Sequence, residues 1–416
     1  MRAEGDLGPQ ERLAAAHAAR SVLRELRRID LALRLASEAA GMKQKSIAAH
    51  DRSLLRYLAL RVAIEGEDAK RSLTELALPG PRRPRAIDGA TLARIAAHLP
   101  AVDFLPVPPD PVAALAQRRS VPDFLARLFV EDLGLERADS LLAALNQPHR
   151  LDLRANRLLA TRDEVASALA ADGASVAPCA LARDGLTAAD RAGLFGRAHD
   201  RGLFEVQDEG SQLIAELCGA APGETVVDFC AGSGGKSLAL AAAVGTSGRV
   251  FACDADARRL SELPARARRA RAAAIVEAAG AEPPESLAGK ADAVLVDAPC
   301  SGLGSLRREP DLRWRLSEAR IGELPALQLE ILRRAARFVR PGGRLVYATC
   351  SPLRLEDEKV VESFLALEPG FALAPLASTL DEQVARQIDE GGFMRVWPDR
   401  HGGGAFFAAL LIRSQA

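Results

Sequence analysis

The chain has 416 residues and equal numbers of acidic and basic side chains, so its net charge is zero. Its length allows two or three domains with separate cores, and no stretch approaches the roughly 18 consecutive apolar residues of a membrane-spanning helix. The opening segment M-R-A-E-G-D-L-G-P-Q lacks the apolar core of a secretory signal, so a soluble cytoplasmic protein is expected.

The six cysteines, at 179, 218, 230, 253, 300 and 350, form no C-x-x-C pair. They suggest neither zinc nor disulfides, and no metal site is expected. Charge is unevenly placed. Residues 1–95 hold 18 Lys and Arg against 12 Asp and Glu, leaving about +6 there and about −6 in the remainder. Such an excess fits either docking on a nucleic-acid backbone or a solvated helical surface. Arginine outnumbers lysine 49 to 6, a bias attributable to genome composition, so the run Arg266–Arg271 carries little functional weight here.

Residues 10–78 show apolar positions at helical spacing, as in L-A-A-A-H-A-A-R-S-V-L-R-E-L and S-L-L-R-Y-L-A-L-R-V-A-I. P-G-P-R-R-P-R (79–85) breaks that pattern, a helix over 90–98 follows, and L-P-V-P-P-D-P (105–111) reads as a linker. An all-helical domain over 1–110 is therefore expected. Over 118–205, helices at 122–134, 137–145 and 163–171 alternate with short strand candidates such as 151–158, which predicts a small α+β module.

From 206 to 416 the alternation becomes regular. Strands are predicted at 225–230, 249–254, 293–297 and 344–350, with helices at 236–244 and 317–339 between them. Apolar strands separated by helices imply an α/β class, a doubly wound, Rossmann-like, mainly parallel sheet with its site at the carboxyl ends of the strands. Two of those ends carry thiols: V-L-V-D-A-P-C-S-G-L-G (294–304) places Cys300, and R-L-V-Y-A-T-C-S-P (344–352) places Cys350. Free cysteine usually packs as a small hydrophobe. Asp-Ala-Pro before one thiol and Thr before the other favour chemistry instead.

The strand at 225–229 runs into C-A-G-S-G-G-K-S (230–237). A Walker phosphate loop fails because Cys230 occupies the first required glycine, and the dinucleotide fingerprint fails at Ser237. Asp254, at the end of the next strand, is placed to accept hydrogen bonds from ribose hydroxyls. With Asp228 and Asp297 nearby, the set fits S-adenosylmethionine, a nucleoside carrying a sulfonium instead of phosphates. Helix capping is the plainer role for these aspartates.

Several blocks together resemble the Sun/Fmu-type RNA cytosine-C5 methyltransferases of the NOL/NOP/Sun family. They are R-S-V-P-D-F (119–124), V-Q-D-E-G-S-Q-L (206–213), D-F-C-A-G-S-G-G-K-S (228–237), V-L-V-D-A-P-C-S-G-L-G (294–304), R-R-E-P-D-L-R-W (307–314), P-G-G-R-L-V-Y-A-T-C-S (341–351) and R-H-G-G-G-A-F-F-A-A-L (400–410). The helical N-terminal region, best at D-R-S-L-L-R-Y-L-A-L (51–60), resembles the NusB-like domain of the bacterial ribosomal RNA members. The resemblance implies a methyltransferase domain over 206–416 preceded by two RNA-binding parts, with 16S ribosomal RNA as partner and the protein acting as a monomer. It implies that Cys350 is the nucleophile and Cys300 assists product release. It places Cys230, Ala231, Gly232, Ser233, Gly234, Gly235 and Lys236 around S-adenosylmethionine and Asp254 on the ribose.

The chemistry needs both thiols. Carbon 5 of cytosine is a poor nucleophile until a thiolate adds at carbon 6, and the carbon 5 proton must then leave before the enzyme can be expelled. A free thiol, with pKa near 8.5, is only slightly ionised at neutral pH, so the nucleophile needs help from Lys236 or from N–H groups of the Ser351 turn. Asp297, beside the cofactor, is a catalytic candidate that can hydrogen-bond the cytosine edge. Arg307 and Arg308 meet either RNA phosphates or Glu309 and Asp311. Asn146, Arg154 and Asn156 match family positions, in packing or in RNA contact.

The chain also departs from the family pattern. Gly232-Ser233 replaces an Ala-Pro pair, Gly404 replaces a frequent acidic residue, and Ala279 stands where an aspartate normally holds the adenine amino group, with Glu277 a possible substitute. A non-catalytic RNA-binding ribosome assembly factor is the alternative those departures suggest. A protein or small-molecule methyltransferase is disfavoured because neither needs a nucleophilic cysteine. One charge-assisted hydrogen bond contributes about 1.5–3 kcal/mol. Ala279→Asp is accordingly expected to tighten S-adenosylmethionine binding about 10- to 100-fold in calorimetry.

Overall fold

The computed structural model describes residues 8–42, 49–76 and 87–415. The predicted break at 79–85 lies outside the described residues. Among the described residues no helix is long and apolar enough to cross a membrane.

By packing, the chain falls into two units, one of residues 1–146 with 309–315 and the other of 147–308 with 316–416. The first unit is helical. Helices Pro9–Arg24, Leu26–Ala39, Ala49–Ala59, Ala69–Leu76 and Gly89–Ala97 enclose a core that includes Ile29, Leu33, Leu55, Leu58 and Ile95. Asp88 caps the last of these by accepting the Thr91 N–H at 2.8 Å, satisfying one of the donors a helix start leaves open.

The packing differs from the expected boundary near 110. Helices Pro111–Arg118, Asp123–Leu133 and Leu135–Leu145 belong to the same helical unit. The Arg27 backbone N–H donates to Ser120 Oγ at 3.0 Å, and its guanidinium to the Val121 carbonyl at 3.0 Å. The run 105–110 carries neither helix nor strand and Pro111 opens the next helix, but Leu105 stays buried and Gln117 Nε2 donates to the Pro106 carbonyl at 2.7 Å. A run that ends secondary structure need not end a core. The region expected as one module, 118–205, is thus divided between the units after Asn146.

The second unit contains two sheets. Strands β1 (Leu151–Ala155), β2 (Val176–Pro178), β3 (Gly185–Ala188) and β4 (Phe204–Val206) form an antiparallel sheet in the order β2-β3-β1-β4. The larger sheet contains β5 (Thr225–Asp228), β6 (Arg249–Cys253), β7 (Val276–Gly280), β8 (Ala291–Asp297), β9 (Val339–Thr349), β10 (Phe371–Leu373), β11 (Asp389–Glu390), β12 (Phe393–Val396) and β13 (Phe406–Arg413). Its order is β11-β12-β13-β9-β8-β5-β6-β7, with β10 paired to β13. Neighbours from β9 through β7 run parallel, as expected for a doubly wound fold, whereas β10 to β13 add an antiparallel flank.

Both faces of this sheet are buried, and alternation sorts its side chains. Val226, Leu295, Val346, Ala348, Phe406 and Leu410 pack on one side with Leu213, Leu238 and Leu263. Val227, Val296, Tyr347 and Phe407 pack on the other with Phe338, Val360 and Phe364. Chain order reverses on either side of β5, so the carboxyl ends of β5 and β8 frame the topological switch point where such sheets bind ligands. Phe407 is fully buried, 6.3 Å from the Tyr347 ring and 5.4 Å from Phe393. Phe407→Ala is expected to remove about 3–5 kcal/mol of stability, read from denaturant unfolding by circular dichroism.

Candidate active site

The β5 strand ends at Asp228, and residues 230–234 turn the chain into the helix Gly235–Val244. The turn requires Gly234, whose φ is +87° and where a Cβ would lie 2.2 Å from Leu263 Cδ1. Neighbouring elements brace this loop. Asp254 accepts the Gly232 N–H on Oδ2 at 2.7 Å and the Asp256 N–H on Oδ1 at 2.8 Å. Arg266 donates to the Ser233 carbonyl at 2.8 Å and to its hydroxyl at 2.9 Å, while holding Glu205 at 2.7 Å. Arg154, buried, donates to Gln207 at 2.6 Å and to the Gly235 carbonyl at 3.3 Å.

A cavity of about 320 Å³ opens beside the loop. Of the expected site residues, Cys230, Ala231, Ser233, Gly235, Lys236, Asp297 and Cys350 line it. Gly232, Gly234, Asp254 and Cys300 do not; the glycines and Asp254 shape the loop, and Cys300 reaches the site through its contact with Cys350. Arg308, expected on RNA phosphates or on Glu309 and Asp311, also lines the cavity, as do Gln207, Asp208, Ser211, Ser305, Arg259, Arg266 and Phe406, which residue chemistry alone did not single out. Blocks 206–213 and 400–410 flagged most of them without giving a role. The low weight set on Arg266–Arg271 is wrong for Arg266, because position beside Ser233 and Glu205 distinguishes it from a surface arginine. A larger groove of about 700 Å³, lined by Arg183, Glu216 and Asp381 among others, contains none of the expected catalytic or loop residues.

The parallel pairing of β8 with β9 sets Asp297 opposite Ala348. Cys300 follows three residues beyond the end of β8 and Cys350 one residue beyond the end of β9, and their sulfurs lie 3.3 Å apart. The Gly304 N–H donates to the Cys350 carbonyl at 2.9 Å, and a Cβ at Gly304 would meet the Ala405 carbonyl at 2.1 Å. Lys236 Nζ sits 2.6 Å from Asp297 Oδ2. Burial opposes its charge, but Asp297 outweighs that and raises the Lys236 pKa.

The thiols are not equivalent. Cys350 is held below its ordinary value, first by the hydrogen bond from Cys300 and also by Ser305 and Lys236, against burial and the charge of Asp297. Cys300 is pushed well up by that same hydrogen bond, then by burial, the charge of Cys350 and Glu356. Burial pushes Cys179, Cys218, Cys230 and Cys253 up. Of the six cysteines, all among the described residues, only Cys350 is shifted toward thiolate.

Two carboxyls lean the other way. Burial raises Asp228 to about 7 and Asp208 to about 6, the latter with help from the charge of Asp152. Asp228 Oδ2 accepts from Ser237 at 2.6 Å, while its buried Oδ1 has no partner. Asp228 is among the cavity's lining residues, and its unsatisfied carboxyl fits a ligand that brings positive charge or N–H donors.

Other expected positions resolve into packing. Asn146 donates to Glu25 at 3.2 Å and accepts from the buried Arg313 at 2.9 Å. Asn156 donates to the Gly202 and Ala270 carbonyls, both at 2.9 Å. Arg307 donates to the Pro148 carbonyl at 2.8 Å and to the Gly403 carbonyl at 2.9 Å, whereas Arg308 lines the cavity. Asp152, Cys179 and Glu209 lie within mutual metal-ligand reach, but Arg150 already holds Asp152 at 2.7 Å and Glu209 at 2.5 Å.

A parallel sheet with a glycine loop at its switch point and acidic strand ends defines a Rossmann-like methyltransferase domain. The sequence matches "16S rRNA methyltransferase RsmB/F" over residues 217–412 and the RsmF/B-like ferredoxin-like domain over 121–192. The chain is 34% identical to "Probable ribosomal RNA small subunit methyltransferase B" of Synechocystis, over 72% of this chain and 68% of that one. It is also 34% identical to ribosomal RNA small subunit methyltransferase B of Pseudomonas putida, over 74% of this chain and 69% of that one. The crystal structure of PH0851 superposes with a TM-score of 0.76 at 28% identity, covering 98% of this chain and 91% of that one. The chain belongs to the RsmB/F family of 16S ribosomal RNA methyltransferases. The methyl donor of the family is S-adenosylmethionine, whose charge suits the orphaned Asp228 oxygen and the loop it adjoins.

Lys236 favours the Cys350 thiolate and restrains Asp297, which disfavours it. Lys236→Met removes the first effect and frees the second, so the pH midpoint for alkylation of Cys350 is expected to move up. Peptide mapping after timed iodoacetamide labelling measures it, and an unchanged midpoint would assign the activation elsewhere.

Proposed function

We propose that the chain methylates carbon 5 of a cytosine in 16S ribosomal RNA, in the cytoplasm, through a covalent bond between Cys350 and carbon 6. The observation that carries this reading is the pair of thiols at 3.3 Å with opposite shifts, Cys350 down and Cys300 up. A methyl transfer to nitrogen or oxygen needs no nucleophilic sulfur, whereas carbon 5 of cytosine needs one sulfur added and later expelled.

Residues 230–236 would hold S-adenosylmethionine, with Asp254 toward its ribose, and the cofactor would supply the electrophilic methyl group. Cys350 adds to carbon 6 as thiolate. Asp297, held by Lys236, hydrogen-bonds the cytosine edge and steadies the ring as electrons move into it. While Cys350 is anionic, the Cys300 S–H donates to it, and this keeps Cys300 protonated. Once Cys350 is consumed in a carbon–sulfur bond, the largest influence holding Cys300 protonated is gone. Cys300 then ionises more readily and is placed to assist loss of the carbon 5 proton and release of Cys350. The helical unit and the β1–β4 module serve to bind the RNA.

Purified protein with labelled S-adenosylmethionine is expected to form 5-methylcytosine in undermodified 16S ribosomal RNA, located by bisulfite mapping. Cys350→Ala is expected to be inactive and to form no adduct. Cys300→Ala is expected to accumulate a covalent RNA complex, seen as a retarded band in a denaturing gel. An adduct that survives loss of Cys350 would overturn the assignment of the nucleophile.

A further inference from the structure

A serine follows each cysteine, in C-S-G at 300–302 and C-S-P at 350–352. The thiol chemistry gives these serines no task, but the structure joins them through one side chain. Glu356 is fully buried. Its Oε1 accepts the Ser301 and Ser351 hydroxyls, both at 2.6 Å. Its Oε2 accepts the Ser301 backbone N–H at 2.7 Å and Gln328 Nε2 at 3.1 Å.

The residues before the cysteines are held from the same region. Gln328 also donates to the Pro299 carbonyl at 3.0 Å, and Asp357 accepts the Thr349 hydroxyl at 2.5 Å. The turn carrying these carboxylates is fixed in place, since Tyr347 donates to the Glu356 carbonyl at 2.5 Å and Arg395 pairs with Asp357 at 2.7 Å. Beyond Asp297 and Ala348 the β8–β9 ladder gives way to two turns. The Gly304 hydrogen bond ties them on one side, and Glu356 ties them on the other.

We infer that Glu356 is the positioning residue that locks the Cys300 and Cys350 turns together and so sets the distance between the two thiols. Burying a carboxylate is costly unless its oxygens are satisfied, and here four donors converge from the two turns and a flanking helix. A displacement of about 1 Å at reacting groups can cost about 100-fold in rate. The carboxylate also contributes to keeping Cys300 protonated. The consequence for turnover rests on the two-thiol reading above; the geometric role does not.

The test uses the full chain with Glu356→Ala and Glu356→Gln, folding checked by circular dichroism and thermal melting. Diamide is the probe. It takes one hydrogen from each thiol to become the hydrazine and leaves a Cys300–Cys350 disulfide, followed by mass spectrometry. Glu356→Ala is expected to slow this oxidation about tenfold or more. Glu356→Gln is expected to stay within about threefold of the parent, because its amide can donate to both serine hydroxyls while its oxygen accepts from Ser301 N–H and Gln328. On RNA, Glu356→Ala should raise the ratio of trapped adduct to released product, a change that loss of folded protein does not produce. If Glu356→Ala does not fold, Ser351→Ala removes one donor and is expected to slow oxidation several-fold. Oxidation at the parent rate in a folded Glu356→Ala or Ser351→Ala, or a Gln variant no better than Ala, overturns the inference. Failure of Cys300→Ala to trap RNA would instead refute the two-thiol reading, leaving the oxidation rates to judge Glu356.

Discussion

Two sulfurs 3.3 Å apart cannot both carry charge without mutual repulsion, so the pair holds one proton between them in its reactive state. Much of the surrounding structure bears on which sulfur keeps it. Lys236 and Ser305 favour charge on Cys350, while burial and Glu356 disfavour it on Cys300. The two thiols are therefore asymmetric. The asymmetry follows from where two adjacent parallel strands stop, and from which side chains line each stopping point.

The sheet supplies that placement because its ladder is rigid and its register is fixed on both faces. A slip of one residue between β8 and β9 would turn every alternate side chain out of its layer, exchanging Leu295 and Val346 with Val296 and Tyr347. The hydrophobic layers therefore select the pairing of Asp297 with Ala348, and the pairing delivers the thiols. The cofactor loop is held differently. Its backbone depends on a lattice of charged side chains, with Arg154 and Arg266 reaching it from other elements and Glu205 anchoring Arg266.

Much of this was legible in the sequence. The strands at 225–230, 249–254 and 293–297 and the helices at 236–244 and 317–339 fall within about three residues of the observed ones, because period and punctuation are local signals. The loop residues and both thiols were legible because strand ends in this class of sheet are where ligands bind. The division at Asn146 was not, since a proline-rich run reports where a helix stops and not where a core does. Nor was the antiparallel flank β10–β13, whose pairing joins segments far apart in the chain. Arg266 was lost among similar arginines, and Glu356 carried no signal because its partners are two serines fifty residues apart.

Among the described residues, strand β7 pairs only with β6 and forms one edge of the larger sheet. Ala278 and Glu277 on it are exposed, and Ala279 is half-buried. A residue there can change without opening a hole in either hydrophobic layer, whereas Asp228 and Glu356 are locked into buried hydrogen bonds. This edge of the sheet therefore tolerates substitution in a way the buried site residues do not. Ala279→Asp would accordingly cost the fold little.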